Sequence, residues 1–235
     1  MKTIGILGGF GPDATAEFYL KVIEKNQELK RKSRPSILIY NAPVILKVEE
    51  DLIKNGTGIE DFLPWLLDGV RSLQDKVDFI VMPCNKLHVF IEELRKESKV
   101  PILSIIEETV NEIKARRFKN VGILATPETI KEKLFETKLN GNGIQIIKPN
   151  KSDQKRVSEL IQLILKGFKT TEMKSDFLEI IERLQKNGAD GVILGCTDLS
   201  LIISQNDTST KLIDTIDVLT DSTVKKIEGE FDESK

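Results

Sequence analysis

The chain has 235 residues, 40% of them apolar and 31% charged, which suits one large domain or two small ones with a real core. Its formal net charge of −2 argues against nucleic-acid binding driven by a basic surface. No apolar run reaches the roughly 20 residues that a membrane-spanning helix needs, and the chain opens on a strand pattern without a signal-peptide layout. A cytoplasmic protein with two reduced thiols is expected, with neither nucleic-acid nor membrane partner.

Short β-branched runs alternate with longer amphipathic stretches along the whole chain. The runs predict strands at 3–7, 36–41, 78–82, 102–104, 121–125, 144–147, 190–194 and 212–214. The stretches predict helices around 13–30, 59–75, 87–97, 106–116, 128–140, 153–166, 173–187 and 217–228. Such alternation predicts an α/β fold with mostly parallel sheets covered by helices. Lys30, Arg31, Lys32 and Arg34, the densest basic run, read as a solvated helix end and loop. Gly188 is placed to close a helix, Pro101 to open a strand, and 229–235 form a polar tail.

The chain repeats itself. Thr3-Ile-Gly-Ile-Leu-Gly-Gly9 has a counterpart in Asn120-Val-Gly-Ile-Leu-Ala-Thr126, and the offset from Gly5 to Gly122 is 117. The only two cysteines, Cys84 and Cys196, lie 112 apart, each at the end of an apolar run and followed by a small polar residue. A looser third pair, around Lys99 and Lys211, repeats at about 110. These offsets predict two pseudo-symmetric halves with a cleft between them: 1–115 with a returning segment from about 209 to 228, and 116–208. Two thiols facing one substrate from opposite sides is the arrangement that proton transfer at a stereocentre requires. Each cysteine alone also fits a small buried hydrophobe.

Between the first strand and helix lies Gly8-Gly-Phe-Gly-Pro-Asp-Ala-Thr15. It resembles a dinucleotide fingerprint in Gly9, Gly11 and Ala14, but the second strand ends in Asn41-Ala-Pro43 rather than an acidic residue, and Pro12 offers no amide. The loop reads better as a tight turn that attracts a small carboxylate, or as a plain strand–helix turn. His88, the sole histidine, follows Cys84 by one helical turn and either tunes that thiol or packs and caps. One histidine and two distant cysteines give no zinc spacing.

Taken together, Gly8–Thr15, Asn41–Pro43, Met82-Pro-Cys-Asn-Lys-Leu-His88, Ser104-Ile-Ile-Glu-Glu-Thr109, Leu124-Ala-Thr-Pro-Glu-Thr129 and Gly195-Cys-Thr-Asp198 resemble the aspartate/glutamate racemase family over about residues 2 to 228. The resemblance implies a two-domain enzyme without cofactor, usually a homodimer, that interconverts the enantiomers of an acidic amino acid. It makes Cys84 and Cys196 the acid/base pair. Gly11, Pro12, Asn41, Asn85, Lys86, Thr126, Thr129 and Thr197 then line the substrate, with Lys166 near its side-chain carboxylate unless that lysine simply faces solvent. His88, Asp198 and Glu107 support the thiols. The short helices that begin after each cysteine are expected to aim their N-termini at the substrate.

Two departures bear on the substrate. Val48, with Lys47 beside it in Val44-Ile-Leu-Lys-Val-Glu-Glu-Asp51, occupies the place of the family's usual arginine. Lys86 replaces a small hydroxyl residue, and Lys supplies a point charge rather than a planar fork. Phe10 for methionine and Asp198 for glutamate are smaller changes. Other readings are an isomerase or racemase of maleate or hydantoin type, a non-catalytic carboxylate binder, and, more distantly, a nicotinamide dehydrogenase.

Overall fold

The computed structural model describes residues 1–30, 33–48, 52 and 57–228. Arg31 and Lys32 of the basic run, residues 49–51 of the departing stretch, and the tail 229–235 lie outside the described residues.

Two compact units are present, one of Met1–Glu108 together with the chain from Ile216, the other of Thr109–Thr215. The first holds strands β1 (Ile4–Gly8), β2 (Ile37–Asn41), β3 (Phe79–Val81) and β4 (Ile102–Leu103). The second holds β5 (Asn120–Leu124), β6 (Gln145–Ile147), β7 (Gly191–Leu194) and β8 (Leu212–Asp214). The sheet orders are β2-β1-β3-β4 and β6-β5-β7-β8, the same order repeated, and the paired strands are parallel. All five residues of β1, all three of β3 and all four of β7 are buried, because helices cover both faces of a parallel sheet. Each fully buried Phe, Ile or Val side chain there contributes about 1.5–3 kcal/mol.

The helices are α1 (Pro12–Glu28), α2 (Leu63–Leu73), α3 (Ile91–Glu97), α4 (Ile105–Ala115), α5 (Pro127–Lys131), α6 (Glu136–Asn140), α7 (Lys151–Leu165), α8 (Thr171–Lys186) and α9 (Thr215–Ile227). Gly188, at φ 96°, ends α8 as expected: its N–H donates to the Gln185 carbonyl while that of Ala189 donates to Leu184. Three expected helices are divided. The first turns of 59–75 and 87–97 are 3-10 helix, at Ile59–Phe62 and Lys86–Phe90. The stretch 128–140 breaks where Lys133 turns left-handed at φ 52°, which lets both Phe135 and Leu139 enter the core.

The unit boundary also differs from expectation. The returning segment does not start near 209, because Leu212–Asp214 first pairs with β7 as the edge of the second sheet. From Ile216 onward α9 joins the first unit. The Lys2 N–H donates to the Ile227 carbonyl, the Ser222 hydroxyl donates to Glu108, and Lys21 and Lys25 of α1 pair with Asp217 and Asp221.

Candidate active site

In the first unit the site residues gather where β2, β1 and β3 end. Ile4 lies beside Phe79 and Ile37; β1 and β2 stay paired to their ends, where the Ala42 N–H donates to the Gly8 carbonyl at 3.0 Å, while β3 leaves the pairing after Val81, shortly before Cys84. Gly9 has φ 92°, and a Cβ there would lie 2.5 Å from the Ala42 nitrogen and 3.1 Å from the Asn41 side-chain oxygen. Only glycine allows this approach. Gly11, at φ 120°, precedes Pro12, the first residue of α1. Thr15, a residue the sequence reading missed, braces this loop. Its hydroxyl accepts from the Gly9 N–H at 3.2 Å and donates to the Gly11 carbonyl at 3.1 Å. The Gly9 amide is thereby taken up within the tight turn that the sequence predicted. Gly11 and Pro12 lie where the loop after β1 enters α1, and Asn41 is the last residue of β2.

Cys84 is buried, and its N–H donates to the Met82 carbonyl at 2.9 Å. Asn85, also buried, precedes the 3-10 turn on which half-buried Lys86 and buried His88 sit. Nδ1 of His88 lies 2.7 Å from the Cys84 carbonyl, and Nε2 accepts the Ile105 N–H at 3.2 Å. Nε2 is thus an acceptor, so the proton is on Nδ1 and the imidazole is neutral. Of the two roles left open for His88, the structure supports packing: it clamps the Cys84 loop to the first turn of α4. Glu107 on α4 forms a bidentate pair with Arg95, at 3.0 and 2.6 Å. That pair holds α3 to α4.

The second unit repeats the plan. Leu124 lies beside Leu194, and Thr126 and Cys196 each follow shortly after the end of their strand. The Gly195 N–H donates to the Leu124 carbonyl at 2.7 Å, and a Cβ on Gly195 would lie 3.1 Å from that of Ala125. The two strand ends therefore stay zipped as far as Gly195, the residue before the thiol. Half-buried Cys196 donates its S–H to Asp198 Oδ2 at 3.6 Å. Thr197 and Asp198 are both buried in a 3-10 turn, Thr197–Leu201. Thr126 caps α5: its Oγ1 accepts the Thr129 N–H at 3.4 Å and lies 3.2 Å from the Thr129 hydroxyl. Gln154 on α7, also missed in the sequence, donates to the Ala125 carbonyl at 3.0 Å and so fixes the residue before Thr126. Thr215 does the same for β7, donating to the Leu194 carbonyl at 3.0 Å.

Lys166 stands apart as the exposed C-cap of α7. That helix packs on the turn carrying Thr197 and Asp198, so Lys166 is on a neighbouring element but not in the thiol loop. The helical elements directly after the cysteines begin as 3-10 helix, Lys86–Phe90 running straight into α3 and Thr197–Leu201 ending at Ile202, so the dipole at their N-termini is weaker than that of a long α-helix. Among the described residues no group of three or more His, Cys, Asp or Glu is placed to hold a metal ion, and no helix is long and apolar enough to cross a membrane.

Residues 7–223 match the Asp/Glu/Hydantoin racemase family. The chain is 32% identical over 226 residues to the broad specificity amino-acid racemase RacX of Bacillus subtilis, covering 94% of this chain and 96% of that protein. A glutamate racemase of Aquifex pyrophilus is 32% identical over 146 residues, 61% of this chain and 55% of its own. Among solved structures, an aspartate racemase homologue from Pyrococcus horikoshii superposes with a TM-score of 0.80 at 27% identity, over 97% of this chain and 100% of that one. The Picrophilus torridus aspartate racemase gives 0.75 at 26% identity, over 97% and 95%.

Proposed function

The chain belongs to the Asp/Glu/hydantoin racemase family, and from that premise we propose that it interconverts the enantiomers of an α-amino acid by two-base proton transfer between Cys84 and Cys196, without a cofactor. One observation carries this reading. Each sheet has the same strand order, and each thiol follows the same strand of that order, β3 or β7.

The chemistry asks for such a pair. A thiolate removes the Cα proton, the electron pair spreads into the α-carboxylate, and a thiol on the other face returns a proton to Cα. The first cysteine ends as thiol and the second as thiolate, so the reverse reaction uses the same groups with roles exchanged. Asn85 and Thr197, each next to its cysteine, supply hydrogen bonds to the α-carboxylate as charge builds on it. Lys86 supplies a positive charge at the same end. Asp198 accepts the S–H of Cys196 and so directs that proton. The reaction fixes the substituents at Cα and leaves the side chain open. Aspartate and glutamate, implied by the resemblance, present the same Cα proton as any neutral amino acid.

The test is a chiral assay of single enantiomers, including L- and D-aspartate and glutamate, incubated with reduced protein. Appearance of the opposite enantiomer, abolished by prior alkylation with iodoacetamide, is the expected result. A folded protein that inverts no amino acid refutes the proposal. Assembly as a homodimer belongs to the same proposal, and an eluted mass of about twice 26.5 kDa checks it.

A further inference from the structure

We infer that the preferred substrate carries an uncharged, apolar side chain, received by Phe10, Val44 and Val48. The inference rests on the racemase reading and adds the substrate class to it. The three residues come from the ends of two neighbouring strands. Phe10 follows β1, Val44 and Val48 follow β2, and Cys84 follows β3, and these three strands are neighbours in one sheet. All three pack against a single apolar cluster that contains Cys84, Leu52 and Phe62. The Phe10 ring centroid lies 6.1 Å from that of Phe62, in a tilted pair that fixes its plane.

None of the three is fully covered. Phe10, Val44 and Val48 are half-buried, while Leu7, Leu52 and Leu66 behind them are sealed. Apolar surface is thus left open on the cluster that contains Cys84, and an apolar side chain that covers it gains affinity in proportion to the area removed from water. An ionised carboxylate laid on the same wall loses hydration and meets no partner in it. The half-buried cation of this loop, Lys86, lies beside Asn85 at the position proposed for the α-carboxylate. Every α-amino acid presents that group, so the lysine charge does not call for an acidic side chain.

The experiment compares kcat/KM for alanine, leucine, methionine, phenylalanine, aspartate and glutamate by the chiral assay. It uses wild type, Val48→Thr, which keeps the shape and adds a hydroxyl, and Val48→Arg. The best of leucine, methionine and phenylalanine is expected to exceed alanine, aspartate and glutamate by roughly 10-fold or more, the worth of a few contacts in an apolar pocket. Val48→Thr narrows the ratio of that substrate to alanine, and Val48→Arg shifts the ratio towards glutamate. Circular dichroism of each variant separates a changed preference from a failed fold, and the wild-type ranking stands without either variant. Aspartate or glutamate ranking first in wild type overturns the inference and leaves the racemase reading intact. Inversion of no amino acid overturns both.

Discussion

The two thiol loops share a topology and differ in their surroundings. Cys84 is buried among apolar side chains, and its carbonyl is held by a neutral His88. Cys196 is half-buried, and its S–H points at the Asp198 carboxylate. Gly9 and Thr126 occupy equivalent places, so one loop received the glycine that admits a close backbone approach and the other a hydroxyl that caps a helix. Duplication preserved where each thiol emerges and let the chemistry around it diverge. Under the proposed reaction the two faces of the substrate meet unlike partners.

The largest effect tests whether the loops act as one machine. Cys84→Ala and Cys196→Ala are each expected to lower inversion by roughly 10²–10⁴-fold, the usual worth of a positioned acid or base. Chiral analysis of the products shows it, and a variant that keeps full activity would make its loop a bystander.

The clamp in the first loop comes next. Replacing His88 by Leu leaves the Cys84 carbonyl and the Ile105 N–H without the ring between them, at a cost of roughly 1–3 kcal/mol. Urea unfolding of His88→Leu measures it, and His88→Gln should recover part of the loss. Unchanged stability in both variants would show that the clamp is not used.

In the second loop, the Asp198 carboxylate repels negative charge on the Cys196 sulfur. Asp198→Asn should speed alkylation of Cys196 by iodoacetamide roughly 3–10-fold at neutral pH while leaving Cys84 nearly unchanged. Peptide mapping of the alkylated protein separates the two sites. Equal acceleration at both cysteines would dissolve the contrast between the loops.

The smallest expected effect concerns the helix that only the first unit recruits. Burial pushes the Glu108 carboxyl above its ordinary range, against the hydrogen bond from Ser222 on α9. A carboxyl raised in the folded state favours folding while protonated. Its contribution is full below the unfolded value and is lost as pH rises through the folded one. Glu108→Gln should therefore flatten the stability profile in that window above the ordinary carboxylate range. Chemical denaturation at a series of pH values checks this, and an unchanged profile would exclude Glu108 as its source.

Sequence and structure agree where local pattern is enough. Buried parallel strands read as apolar runs, so the eight expected strands appear within a residue or so of their limits. The cysteines were visible because a strand end is followed by a turn in any such fold. Cap and break geometry was not visible. Nothing in 128–140 announces that Lys133 turns left-handed, since the need to bury Phe135 and Leu139 together arises only in the packed unit. The braces at Thr15 and Gln154, and the Arg95–Glu107 pair, depend on which elements become neighbours, and single residues of common type carry no sign of that.

One measurement reaches the central claim directly. A single enantiomer of a turned-over amino acid is incubated in D2O, and Cα deuterium is followed by proton NMR from the first turnovers. Two thiols acting from opposite faces predict product deuterated at Cα while the remaining substrate still holds its own proton. Product that retains the original Cα proton would mean one group carried it across, and the two-thiol account would fall.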